Sequence, residues 1–227
     1  MKRICCLGMM LAVALLPARA QTDGAEIFSH PLDGSARPRF DRICADLAEN
    51  PVIKGVFEQT KTISRLNRSL VSQGDFIIAA ELGMVWDTKT PFPSTMAVGR
   101  DYIFQSTPTG ARTRLDARGN ETFLRLADTI SAIFTGNSRL LLENFAVHFA
   151  EAGNSWTIGL IPQEKSVRLF AARILMSGES GGGRIRTAVI RDITLYEQNG
   201  DVIIYRLSNH SYPGGLSAPE RSLFAAQ

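Results

Sequence analysis

From Phe40 onward the apolar side chains fall at Phe40, Ile43, Cys44 and Leu47, the i, i+3, i+4, i+7 spacing of one helix face, and Asn50-Pro51 ends the run. The pattern then shortens. Val52 to Ile63, Leu70 to Ala79, Gly83 to Thr88, Thr95 to Val98, Asp101 to Ser106 and Ala111 to Leu115 are short, often alternating runs punctuated by Gly, Pro, Asn and Asp, which predicts strands. Helical spacing returns at Phe123, Leu126, Ala127, Ile130, Ile133 and Phe134, with Asn120 suited to the N-cap and Gly136 to the C-terminal stop. A short turn or helix at Ser138 to Asn144 comes next. Strands are predicted again at Phe145 to Ala150, Ser155 to Ile161, Val167 to Ser177, Arg184 to Glu197 and Asp201 to Ser208, with Gly178 to Gly183 as a loop and Asn199-Gly200 as a tight hairpin turn. The stretches Thr22 to Pro38 and beyond Tyr212 carry Gly and Pro with little periodicity. They read as a flexible lead-in and an irregular tail.

The connections between predicted strands are too short for the crossover helices that parallel strands need, which excludes a doubly wound α/β sheet. An antiparallel meander remains. Two amphipathic helices require an apolar surface to cover, and a curved sheet with a greasy concave face supplies one. The expected class is mainly β with α, an unclosed antiparallel β-barrel covered by a helical lid. Phe57, Phe76, Trp86, Phe92, Phe104, Phe123, Ile130 and Phe134 are the candidates for its interior. Such an interior is either filled by its own side chains or left hollow for an apolar ligand.

The first residues change the picture of where this domain works. Lys2 and Arg3 precede a nearly unbroken apolar run from Ile4 to Leu16, and Ala18-Arg19-Ala20 offers the small residues that a signal peptidase reads. Residues 1–20 are therefore expected to be a cleaved export signal, with 21–38 as lead-in, 39–212 as the barrel domain and 213–227 as tail. The apolar run falls short of the roughly 20 residues that a membrane-spanning helix needs. No cysteine follows the small-residue site, so the expected product is a soluble periplasmic protein rather than an anchored one.

Of the 25 basic and 22 acidic residues, Lys2, Arg3 and Arg19 belong to the signal, so the remainder carries equal numbers of each. Net charge gives no general argument for nucleic-acid or anionic-membrane binding. Cys44 is the one thiol after the signal and reads as a small buried helix residue. His30, His148 and His210 lie in no metal-ligand spacing, and no G-x-S-x-G elbow surrounds any serine. His148 sits in an alternating strand and reads as a face residue. A hydrolase assembled from dispersed residues stays an alternative without a positive signal.

Several short motifs carry a family resemblance. Phe57-Glu58-Gln59-Thr60-Lys61 is similar to the F-x-Q-x-K first strand of the outer-membrane lipoprotein carrier (LolA-like) family. Gly74-Asp75-Phe76, Met84-Val85-Trp86 and Pro91-Phe92-Pro93-Ser94-Thr95 resemble its G-x-F, L-x-W and P-x-x-S/T stretches, and the hairpin around Asn199-Gly200 resembles its last strand pair. The resemblance spans roughly Phe40 to Asn209. It implies a monomeric, non-enzymatic carrier without cofactors, which shields the acyl chains of a lipoprotein or lipid cargo between an inner-membrane exporter and an outer-membrane receptor. On that implication Phe57, Phe76 and Trp86 line the wall, and Phe123 to Phe134 belong to the lid. One departure stands out: where the family places an arginine that holds the lid shut, this chain reads Ala80-Glu81-Leu82. Carriage of another lipid or a pigment-type cargo, or a lipid-sensing regulatory role on the same barrel, are the alternatives that this departure keeps open.

Overall fold

The computed structural model describes residues 26–99, 102–107, 109, 111–116, 129, 131–169, 171–181 and 188–224. Helix α1 (Arg37–Ala48) leads into strands β1 (Val52–Ile63), β2 (Arg68–Ala79), β3 (Gly83–Thr90), β4 (Ser94–Val98), β5 (Tyr102–Ser106) and β6 (Arg112–Asp116). Helical residues 131–135 (α2) and α3 (Ser138–Asn144) connect these to β7 (Phe145–Ala152), β8 (Ser155–Pro162), the single turn α4 (Lys165–Arg168), β9 (Arg173–Ser180), β10 (Ala188–Tyr196) and β11 (Val202–Ser211). Helix α5 (Ala218–Phe224) follows.

The eleven strands among the described residues form one antiparallel sheet in the order β6-β5-β4-β3-β2-β1-β11-β10-β9-β8-β7. Two hairpin meanders, β1 to β6 and β7 to β11, are joined where the first strand pairs with the last. The sheet is not closed, since β6 and β7 stand at opposite ends of the order. Register shifts at Lys54/Val56, Gln73/Gly74 and Ile190/Asp192 insert bulges, the local kinks by which an antiparallel sheet curls. Curling brings the concave faces of both meanders into one core. Trp86 of β3, Trp156 of β8 and Ile193 of β10 belong to the same buried cluster as Phe40, Ile43, Cys44 and Leu47 of α1. The predicted helix face is thus the buried one. Two of the largest core rings lie over glycines on adjacent strands. A Cβ at Gly55 would meet the Phe76 ring at 2.7 Å, and one at Gly178 would meet Trp156 at 2.3 Å.

The mainly β, antiparallel, unclosed architecture agrees with the class predicted above, while several local readings are corrected. The segment before Pro38 is ordered where it is described. Glu26–Ser29 forms a 3-10 turn with Ile27 buried, the Leu32 amide donates to the Val147 carbonyl at 2.9 Å, and the Phe149 amide to the His30 carbonyl at 3.1 Å. This segment covers the edge strand β7, and that long-range pairing orders residues whose local pattern is irregular. Val167 to Ser177 is not one strand: its start is the helical turn α4 and a corner, and β9 runs on through Gly178 to Ser180 because Trp156 packs on Gly178. The expected irregular tail contains α5. The export signal, Asn120 and residues 182–187 lie outside the described residues.

Helix α5 packs on the outer face of the first meander, where Phe224 joins Val52, Ala79, Val85, Ala97 and Tyr102 in a second cluster. Its start is one half of a capping box: the Ser217 amide (2.9 Å) and hydroxyl (2.8 Å) both donate to Glu220, which also accepts from Lys54 of β1. The Lys54 ammonium, followed by the Ser217 donors, holds the Glu220 carboxyl down at about 2. Because the folded value is depressed, this contribution is complete above the ordinary glutamate value of about 4.5 and fades as pH falls towards about 2. Amide protection factors for residues 218–224 are expected to drop selectively across that window. Glu220→Gln is expected to show the same loss at neutral pH, and equal protection at both ends of the window would dismiss this cap as the anchor.

Candidate functional site

Strand alternation on β2 and β3 sends Phe76, Ile78, Met84 and Trp86 to the concave face and Ile77, Ala79 and Val85 to the outer one. At the middle of the concave face the aromatic rings fill space on each other. Trp86 lies 5.0 Å from Phe57, 5.6 Å from Phe76, 5.4 Å from Tyr205 and 6.0 Å from Phe134 between ring centroids. His210 packs edge-on against Phe76 at 5.8 Å. Burial pushes the Tyr205 phenol up to about 12, with the charge of Glu197 adding to the shift. Two polar atoms of this cluster, Trp86 Nε1 and His210 Nδ1, are buried without a hydrogen-bond partner. The centre of the barrel is a packed aromatic floor.

Open space begins at one end of that floor. A cavity of about 630 Å³ lies between the end of α1 at Ala48, the β2–β3 corner, the end of β4 and α2. Its wall is apolar, from Ile78, Met84, Val98 and Phe134, while Ser131, Thr135 and Asn137 stand on its helical side. Part of that polarity is already committed: the Thr135 hydroxyl donates to the Ser131 carbonyl at 2.8 Å, and the Asn137 side chain caps α3 by accepting from the Leu140 amide at 3.1 Å. A space of this size, apolar inside with a few polar groups on one side, falls in the range of small-ligand pockets, about 300–1,000 Å³.

The sequence-derived candidates divide into five groups. Phe134 lines the cavity, and Phe57, Phe76 and Trp86 form the adjoining floor. Phe92 is corrected: it projects from the exposed β3–β4 turn and lies 73 % exposed. Phe104 is corrected as well, because β5 turns Ile103 towards the core and packs Phe104 with the outer cluster beneath α5. Phe123 and Ile130 lie outside the described residues. Ile78, Met84 and Val98 were missed, although Ile78 and Met84 are the i±2 neighbours of Phe76 and Trp86. Reading the aromatic pattern one step further along each strand would have found them.

Other candidate chemistry stays apart from this cavity. Cys44 is buried in α1, and burial raises its thiol to about 12, with the Asp41 charge adding to the shift. Burial, then the nearby His30 charge, lowers His148, whose ring packs edge-on against Phe28 at 5.6 Å. Glu81 is exposed at the β2–β3 corner, as a solvated edge residue. Among the described residues no group of three or more His, Cys, Asp and Glu side chains could hold a metal ion. Nor is any helix among them long and apolar enough to cross a membrane.

No protein-family model matches the chain, and no curated protein matches its sequence. Solved structures do resemble it. A DUF1329 family protein from Desulfovibrio piger is 9% identical with a TM-score of 0.47, over 80% of this chain and 95% of that one. The Mycobacterium tuberculosis lipoprotein LppX is 11% identical with a TM-score of 0.47, over 82% of this chain and 100% of that one. A LolA superfamily protein, NE2245 from Nitrosomonas europaea, is 9% identical with a TM-score of 0.45, over 81% and 96%. The fold assignment itself rests on the strand order and register described above.

Proposed function

We propose that this protein is an exported carrier that shelters an acyl chain or similarly apolar ligand in the cavity under α2. The carrying observation is the space of about 630 Å³ at the end of the aromatic floor, with Ile78, Met84, Val98 and Phe134 as its wall. The polar side at Ser131 and Thr135 suits a ligand whose head group stays near the mouth while its chain enters. Each methylene transferred from water to such a wall is worth about 0.8 kcal/mol, so binding needs no catalytic group and no cofactor. The basic, apolar and small-residue pattern of residues 1–20 supports export, and the F-x-Q-x-K, G-x-F and P-x-x-S/T stretches support a LolA-like role in moving lipoproteins from inner to outer membrane. Glu81, standing where that family has its lid arginine, favours a cargo of another lipid or pigment type as the second reading.

Native mass spectrometry of the purified protein, combined with uptake of a fluorescent fatty acid, tests the proposal. Ala80→Trp places an indole at the cavity from an exposed backbone position and is expected to weaken uptake about tenfold, or about 1.4 kcal/mol, without lowering thermal stability. Protein that is always empty, and takes up no probe before or after the substitution, sinks the carrier reading.

A further inference from the structure

The most exposed large apolar side chains among the described residues are Leu66 (63%), Leu70 (57%), Val71 (49%), Phe92 (73%) and Leu169 (74%). All five belong to one end of the sheet. The β1–β2 turn, the β3–β4 turn, the α4 corner between β8 and β9, and the β10–β11 turn point the same way, because β1 is antiparallel to β11 and β10 to β9. The β1–β2 hairpin stands level with the β10–β11 turn on one side, where Ser64 bonds Gly200 and Asp201, and above β3 on the other. Strand β3 stops at Thr90 opposite Gln73, whereas β2 starts at Arg68, so the hairpin overtops its neighbour by five residues, or about 17 Å at about 3.4 Å per residue.

Cations are interleaved with these side chains. Arg65 and Arg68 flank Leu66 on the hairpin, and Lys165 and Arg168 precede Leu169 on α4; all four are exposed and none makes an ion pair with another described residue. The acids at this end are mostly engaged: Glu197 binds Lys61 at 3.0 Å, and the buried Asp201 accepts from the Ser64 amide at 2.9 Å. Glu164 also has a partner. Positive charge is thus concentrated on one apolar rim.

We infer that this rim docks on the surface of an anionic lipid bilayer, with Leu66, Leu70, Val71, Phe92 and Leu169 entering the interface and Arg65, Arg68, Lys165 and Arg168 meeting the head groups. The apolar residues are spread over three turns around the rim instead of lining one groove, which suits a broad, flat partner better than a peptide. Aliphatic side chains beside Arg and Lys that pair with no described residue are the combination that holds a protein at an anionic membrane surface. The cavity lies at the other end of β2, beside Ala79 and Ala80. This inference does not depend on what the cavity binds.

Co-flotation of the full chain with phosphatidylethanolamine–phosphatidylglycerol vesicles tests it, with phosphatidylcholine vesicles as the uncharged control. Flotation is expected with the anionic vesicles and to weaken with salt. It is expected to fall at least about tenfold in the Leu66→Gln, Leu70→Gln double variant and in the Arg65→Gln, Arg68→Gln double variant. Uptake of a fluorescent fatty acid from solution should be unchanged in both, and circular dichroism reports their folding. Absence of flotation, or flotation that neither pair alters, overturns the inference. Self-association abolished by the leucine substitutions, without vesicle binding, assigns the rim to a second copy of the chain and overturns it equally.

Discussion

Replacing Trp86 with alanine is expected to cost about 3–5 kcal/mol of stability in the unliganded protein and, at the same time, to strengthen uptake of an apolar ligand. Both effects arise from one geometry. The indole is buried against Phe57, Phe76, Tyr205 and Phe134, so its removal forfeits transfer energy and leaves a void within a floor of rigid rings. That void adjoins the existing cavity through Phe134, which touches both. The cavity should lengthen towards the centre of the barrel and accept a longer chain. Denaturation with and without a saturating fatty acid measures the two terms together: ligand at a hundred times its Kd restores about 2.7 kcal/mol. Loss of stability with no gain in uptake would mean that the floor collapses into the space, and that the cavity under α2 is the full extent of the site.

Gly136→Ala carries the second large effect. Gly136 ends α2 at φ +62, and a Cβ there would stand 2.2 Å from the Cys44 carbonyl oxygen of α1 and 2.9 Å from the Leu47 Cβ. The left-handed conformation costs a non-glycine residue about 1–2 kcal/mol, and the overpacking about 1–3 kcal/mol more. The expected destabilisation is therefore about 2–5 kcal/mol by chemical denaturation. Since the clash is with backbone, α2 must move away from α1, and Phe134, Thr135 and Gly136 itself line the cavity. Dissociation of bound probe should accelerate. An alanine variant of full stability and unchanged release rate would show that α2 is not held against α1 at this point.

The β1–β2 hairpin and α4, which carry the cations of the rim, separate total charge from its placement. Counted over the chain after its expected signal, acids and bases balance, and no membrane affinity follows from the total. Distributed by the strand directions, the acids Glu197 and Asp201 are consumed by Lys61 and the Ser64 amide, and Arg65, Arg68, Lys165 and Arg168 are left on one apolar end. Net charge is a sum over positions, whereas binding responds to their arrangement.

What the sequence by itself determined is the set of elements whose signals are local. The Phe40–Leu47 stripe defines α1, Gly136 stops α2, and alternating runs mark β1, β2 and β3 within a few residues of their ends. Short connections between strands were enough for an antiparallel sheet, and Phe57, Phe76 and Trp86 stood among the candidates for its interior, placed on the wall by what the family resemblance implies. Tertiary structure decided the rest. Whether Phe104 faces inward depends on the register of β5 against β4, which a single step inverts. Order in residues 26–32 comes from β7, more than a hundred positions away, and that of α5 from Lys54 and the outer face of the sheet. The location of the empty space was beyond any periodicity, because rings from β1, β2, β3 and β11 fill the middle of the barrel and the gap is what their summed volumes leave beside α2.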